Sequence, residues 1–161
     1  MNEYASHDSH PAETSGGNRV LSAEDLFHRL LALDHARLQP WGSFHALNVA
    51  CYFLQFPDRS SRASLEREWA LLQCFLREGL QGVHSLTEAA VRANNHRQPP
   101  AAPLGEALVN EVLPVGPPVD PDFGILDVAV DGTFPSPGYS ERMLRWAKSL
   151  DRAWRSSASG K

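Results

Sequence analysis

Four polar side chains, His45, Asn48, Tyr52 and Gln55, recur at helical spacing in a stretch that is otherwise apolar. At 100° per residue they share a sector of roughly 80°. An imidazole, two carboxamides and a phenol on one stripe are suited to proton transfer, or to holding a polar ligand in a fixed orientation. A buried polar group left unpaired costs roughly 1–3 kcal/mol, so the stripe needs a reason. Either these groups bond to neighbouring helices and set their register, or they line a pocket. The residue pattern leaves both open. His45, Asn48, Tyr52 and Gln55 are accordingly the candidate ligand-binding residues, and no catalytic residue is assigned.

Metal chemistry has two starting points here, and neither closes. His28 and His35 share a helix face, with Asp34 adjoining. Seven residues of helix rise about 10.5 Å, too far for one ion without other ligands. His45 and Cys51 lie six apart and point some 120° from each other. The expectation is therefore no metal ligand and no cofactor. Cys51 and Cys74 are the two cysteines, neither in a C-x-x-C pair, and both fall in apolar helical stretches. They read as buried small hydrophobes in a reducing compartment. The chain carries no nucleophile elbow, Walker A loop, H-E-x-x-H or glycine-rich dinucleotide fingerprint.

With 161 residues the chain suits one domain with a real core. A formal net charge of -4 argues against a protein that binds nucleic acid with its whole surface. A local basic face, Arg142, Arg145, Lys148, Arg152 and Arg155, is kept as a minor nucleic-acid or acidic-partner surface; the plainer reading is a solvated helix face. The longest apolar runs fall short of the ~20 residues that a membrane helix needs. The N-terminal stretch lacks the pattern of a secretory signal. These features predict a cytoplasmic protein.

The elements that must position the stripe follow from periodicity. A disordered tail is expected over 1–19. A helix over Val20–Leu38 is capped by Ser22 and Asp25 and carries Leu26, Phe27, Leu30, Leu31 and Leu38. Pro40 and Gly42 break it. Ser43 caps a second helix running to Gln55, apolar nearly all round and so the centre of the bundle. A third helix spans about Ala63–Glu78 with Gly79 as its stop, and a weaker fourth starts near Ser85. Residues 98–138 are proline-rich and irregular, with a short helix near Leu104–Val112 and a segment, Phe123–Val130, that reads as strand or helix. A last helix over Ser140–Arg155 places Trp146, Leu150 and Trp154 on its apolar side, followed by a disordered tail, 156–161. The fold class is all-α: an irregular bundle of four to five helices within a single domain, 20–155, crossed by a long proline-rich connection.

The run W-G-S-F-H-A-L-N-V-A-C-Y-F-L-Q-F-P, Trp41–Pro57, resembles the signature of an uncharacterised bacterial family of helical domains, H-x(6)-[DC]-Y-x-x-Q-H-P. R-W-A-K-S-L-D-R-A-W, Arg145–Trp154, is similar to the closing helix of that family, W-A-x-S-x-x-x-A-W. The resemblance covers roughly Val20–Trp154 and keeps His45, Tyr52, Gln55 and Pro57. Two departures stand out. Phe56 replaces the histidine before the proline, and the cysteine-rich N-terminal segment of many members, which could bind zinc, has no cysteine here. The resemblance implies a helical domain without specifying activity or substrate. With no catalytic motif, the leading expectation is a non-catalytic interaction or adaptor protein with a protein partner. The alternative is a small enzyme or ligand-binding protein whose pocket is lined by His45, Tyr52 and Gln55.

Overall fold

In the computed structural model, residues 21–96 and 111–158 are described. The tail expected over 1–19 and most of the short helix expected near Leu104–Val112 lie outside them. Every regular element among the described residues is helical, so the all-α expectation holds. An isolated bridge between Val130 and Thr133 is the extended pairing recorded there.

Helix α1, Ala23–His35, starts at the expected cap. Ser22 Oγ accepts from the Asp25 amide at 3.1 Å, and Asp25 Oδ2 accepts from the Ser22 amide at 3.0 Å. It ends before Leu38, without a glycine. The Leu38 amide returns to the Leu33 carbonyl and the Arg37 amide to Asp34, a Schellman pattern with Arg37 at φ 56°. Periodicity carries the helix too far because Leu38 sits at an apolar position yet lies outside, exposed. The chain then turns through a 3-10 segment, Trp41–Phe44, into α2, His45–Gln55. Ser43 does not cap α2: its hydroxyl donates to Gln39 Oε1 at 2.5 Å.

Helix α2 is the centre of the bundle and packs against α1, α3 and α5. Leu47, Ala50, Cys51 and Leu54 are fully buried on it. Helix α3, Arg62–His96, merges the expected third and fourth helices across a break at Gly79, whose φ of 68° and ψ of -163° are almost confined to glycine. Ser85, three residues before Glu88 in a capping-box spacing, falls inside the run and marks no start. The signature was local, and a helix already propagating from Leu80 overrides it.

The undecided segment resolves as a one-turn helix, α4, Ile125–Val128. The Gly124 amide donates to Asp127 Oδ2 at 2.8 Å, and the Ile125 amide donates to Gln55 Oε1 at 3.1 Å. Helix α5, Tyr139–Ala158, continues beyond Arg155 into the stretch expected as a tail. Its residues Trp146, Leu150 and Trp154 are buried with α2 and α3, as the sequence predicts. Two arginines pin the irregular connection to the bundle. Arg62 donates to the carbonyls of Leu113 and Pro114, and Arg142 to those of Val128, Pro135 and Pro137.

At Gly79 a side chain would meet nothing within 4 Å, so the cost of adding one is a backbone cost alone. Gly79→Ala is expected to lower unfolding stability by about 1–3 kcal/mol. Urea denaturation checks this, and an unchanged midpoint would show that α3 does not need the break.

Candidate functional site

The last turn of α1 carries Asp34, and the first turn of α2 carries His45 and Asn48. The reversal through residues 36–44 brings these two turns together. The Asp34 side chain is 0% exposed. A carboxylate taken out of water needs donors or a counter-charge, or it costs several kcal/mol. Both of its recorded donors reach one oxygen. His45 Nδ1 stands 3.1 Å from Oδ2, and Asn48 Nδ2 donates to Oδ2 at 3.3 Å. The partial positive charge of the first turn of α2 also favours a carboxylate there. The other oxygen, Oδ1, is buried with no hydrogen-bond partner. His35 Nε2 stands 4.0 Å from it.

The rings of His35 and His45 face solvent beside this carboxylate, their centroids 5.3 Å apart. One ligand atom from each of Asp34, His35 and His45 lies within 4.8 Å of the others. The sequence assigns no metal ligand because it can test only spacings along single helices. His28 and His35 remain apart on α1, and Cys51 is fully buried away from the surface. The grouping with His45 needs the turn between helices. Its only sequence signal is Asp34-His35 at the end of one helix and His45 at the start of the next.

The four residues of the polar stripe part company. Asn48 is fully buried; besides Asp34, it accepts from the Tyr139 hydroxyl at 2.7 Å through Oδ1. Burial pushes the Tyr139 phenol well above the usual range, with Cys51 and Asp34 adding to the rise. Tyr139 therefore stays a neutral donor. Tyr52 points elsewhere: its ring stacks on Phe27 at 3.7 Å, and its hydroxyl accepts from Arg59 at 2.6 Å. Burial raises the Tyr52 phenol also, opposed by Arg59. Gln55 Oε1 accepts from the Trp146 indole at 2.9 Å as well as from the Ile125 amide. Only His45 and Asn48 meet, on Asp34. A cavity beside Thr87, Glu88, Val91 and Arg92 involves none of the four.

The basic face of α5 is engaged with the chain itself. Arg142 clamps carbonyls, Arg145 stacks over the Phe123 ring at 4.2 Å, and Arg152 pairs with Asp122 at 3.0 Å. Arg155 pairs with Asp151 and Glu111. A solvated face was the plainer expectation; these side chains are outward-facing yet tether the irregular connection. Of that group Lys148 is simply exposed. Among the described residues no helix is long and apolar enough to cross a membrane.

A family model matches residues 19–155. The chain belongs to the family of unknown function DUF5946. The match includes Asp34, His35, His45, Asn48 and Tyr139, so the whole polar cluster lies within the DUF5946 domain, as do both stretches on which the resemblance rested. No curated protein matches the chain. No solved structure matches it either.

Tyr139→Phe keeps the ring and removes the donor to a buried acceptor on Asn48. It is expected to lower stability by about 1–2 kcal/mol. Chemical denaturation measures this, and a loss below about 0.3 kcal/mol would mean that the Asn48 carboxamide has another donor.

Proposed function

We propose that this chain is a ligand-binding protein or small enzyme whose working group is His45, held by Asp34, rather than a pocket lined by the whole stripe. The observation behind this reading is the pairing of a fully buried carboxylate with a half-exposed imidazole. If Nδ1 carries the proton and donates it to Asp34, Nε2 is left as an acceptor on the solvent side. A fixed imidazole of that kind suits either acid–base work or the binding of a small polar ligand. Asn48 and Tyr139 support it from beneath by fixing Asp34. Tyr52 and Gln55 take structural parts in this reading.

A second reading, the non-catalytic interaction protein, draws on a different feature. Val112, Val115 and Val119 are exposed at 77%, 75% and 48%, along the irregular connection. Single exposed apolar residues are ordinary, but three within eight positions of one segment suit a protein partner. A cytoplasmic setting accords with both readings, since Cys51 and Cys74 are unpaired and buried.

Mass spectrometry of small molecules and proteins that co-purify with the full chain separates the two. The site reading expects a small ligand retained by the wild type and reduced at least ~10-fold in His45→Ala, a variant that loses stability with the Asp34 pairing and is therefore compared at a temperature where it is folded. A protein partner lost in the double variant Val112→Ser, Val115→Ser but kept in His45→Ala would favour the interaction reading. A ligand retained equally by wild type and His45→Ala would remove His45 from the function.

A further inference from the structure

We propose that Asp34, His35 and His45 form a binding site for a divalent transition-metal cation of the zinc type. The inference rests on reading the Asp34–His45 pair as a ligand site, and it names the ligand class. Three observations converge on it.

The first is the donor set. Two imidazoles and one carboxylate offer nitrogen and oxygen ligands, the combination that suits zinc and its first-row neighbours. One atom from each already lies within 4.8 Å of the others. Ligands around a zinc ion sit about 2.0–2.2 Å from the metal, so two of them are separated by roughly 3–3.6 Å in a tetrahedral site. Closing from the present separations takes rotation of His35 and His45, whose side chains are 67% and 48% exposed and have room to turn.

The second is the orphaned oxygen. Asp34 Oδ1 is buried and lacks a hydrogen-bond partner, while Oδ2 takes both donors. Buried polar atoms without partners are rare in folded proteins, and a bound ion is among the standard explanations. This oxygen stands 4.0 Å from His35 Nε2, and a cation shared with the two rings would satisfy it. The third is support from the second rank. Asn48 donates to Asp34 Oδ2 and is itself held by Tyr139. Partners of this kind fix the orientation of a ligating carboxylate.

On binding, the cation would meet Asp34 Oδ1 and one unprotonated ring nitrogen of each histidine, and each neutral imidazole would keep its proton on its other nitrogen. Three protein ligands at a half-exposed mouth leave at least one position for water or a substrate oxygen, the arrangement found in catalytic rather than structural zinc sites.

The test uses the full chain stripped of metal with a chelator and titrated with Zn2+ by calorimetry, with Co2+ absorption as a second probe. His7 and His10 are changed to Ala in every sample, which removes a competing pair of imidazoles near the N-terminus. One equivalent of Zn2+ is expected to bind and to raise the melting temperature, as binding to the folded state requires. His35→Ala and His45→Ala are each expected to weaken it at least ~10-fold, the scale on which even outer partners of a metal site act. Asp34→Asn, which keeps the shape and removes the charge, is expected to do the same. His35→Ala removes no hydrogen bond to Asp34, whereas His45→Ala removes one of its two donors, so each variant is confirmed folded by circular dichroism before the titration. Zn2+ binding that survives both histidine variants, or no binding at ~100 µM Zn2+, overturns the proposal. A small organic ligand retained through His45 in a chain that binds no metal would overturn the metal while leaving the site. Loss of both would end both readings.

Discussion

The carboxamide of Asn48 is the interaction on which the rest of the arrangement depends. It is fully buried at the centre of the bundle, where an unpaired amide would cost several kcal/mol. Its two ends are used in opposite directions. Nδ2 donates to Asp34 on α1 and Oδ1 accepts from Tyr139 on α5, so one side chain of α2 sets the relative positions of three helices. Hydrogen bonds are directional in a way that apolar contacts are not. A slip of α2 by one residue would leave a carboxylate, an amide and a phenol unpaired in a low-dielectric interior.

Gln55 repeats this logic one end further along α2. Its single carbonyl oxygen takes the Trp146 indole of α5 and the Ile125 amide that begins α4. The Trp154 indole donates in turn to the Leu54 carbonyl at 3.0 Å. The described part of the irregular connection, 111–138, is thereby attached to the bundle by side chains. Arg62 and Arg142 complete the attachment by donating to its backbone carbonyls. Arginine suits this task because its donors are set in a rigid fork and its charge survives at any ordinary pH. The α5 arginines consequently face outward while serving the fold.

The same centre sets a buried carboxylate just beneath the surface. Asp34 is buried by the packing that Asn48 and Tyr139 enforce, and the turn through Pro40 lays His45 across it. Burial and exposure meet at this point: a carboxylate with no solvent contact backs two imidazoles that have it. Such a boundary concentrates negative potential where cations and proton donors can arrive. No comparable grouping of histidine with buried acid occurs elsewhere among the described residues.

Much of the helical layout was legible in the sequence because helix formation is governed by local periodicity and caps. Ser22 with Asp25 starts α1, the all-round apolar α2 takes the centre, and Trp146, Leu150 and Trp154 seat α5. Helix ends that depend on backbone geometry were less legible: Arg37 terminates α1 in a conformation that glycine usually marks, and Ser85 looks like a start inside a continuing helix. The polar stripe was visible as a stripe, but its meaning was not. A shared sector on one helix says which side chains leave in one direction; it cannot say what they meet. Tertiary structure sent Tyr52 to Arg59 and Gln55 to α4 and α5, and it joined Asn48 and His45 on Asp34. That joining was invisible along the chain because Asp34 and His45 belong to different helices. Their approach is fixed by the packing of α1 against α2, and contacts across that packing leave no periodic trace in the sequence.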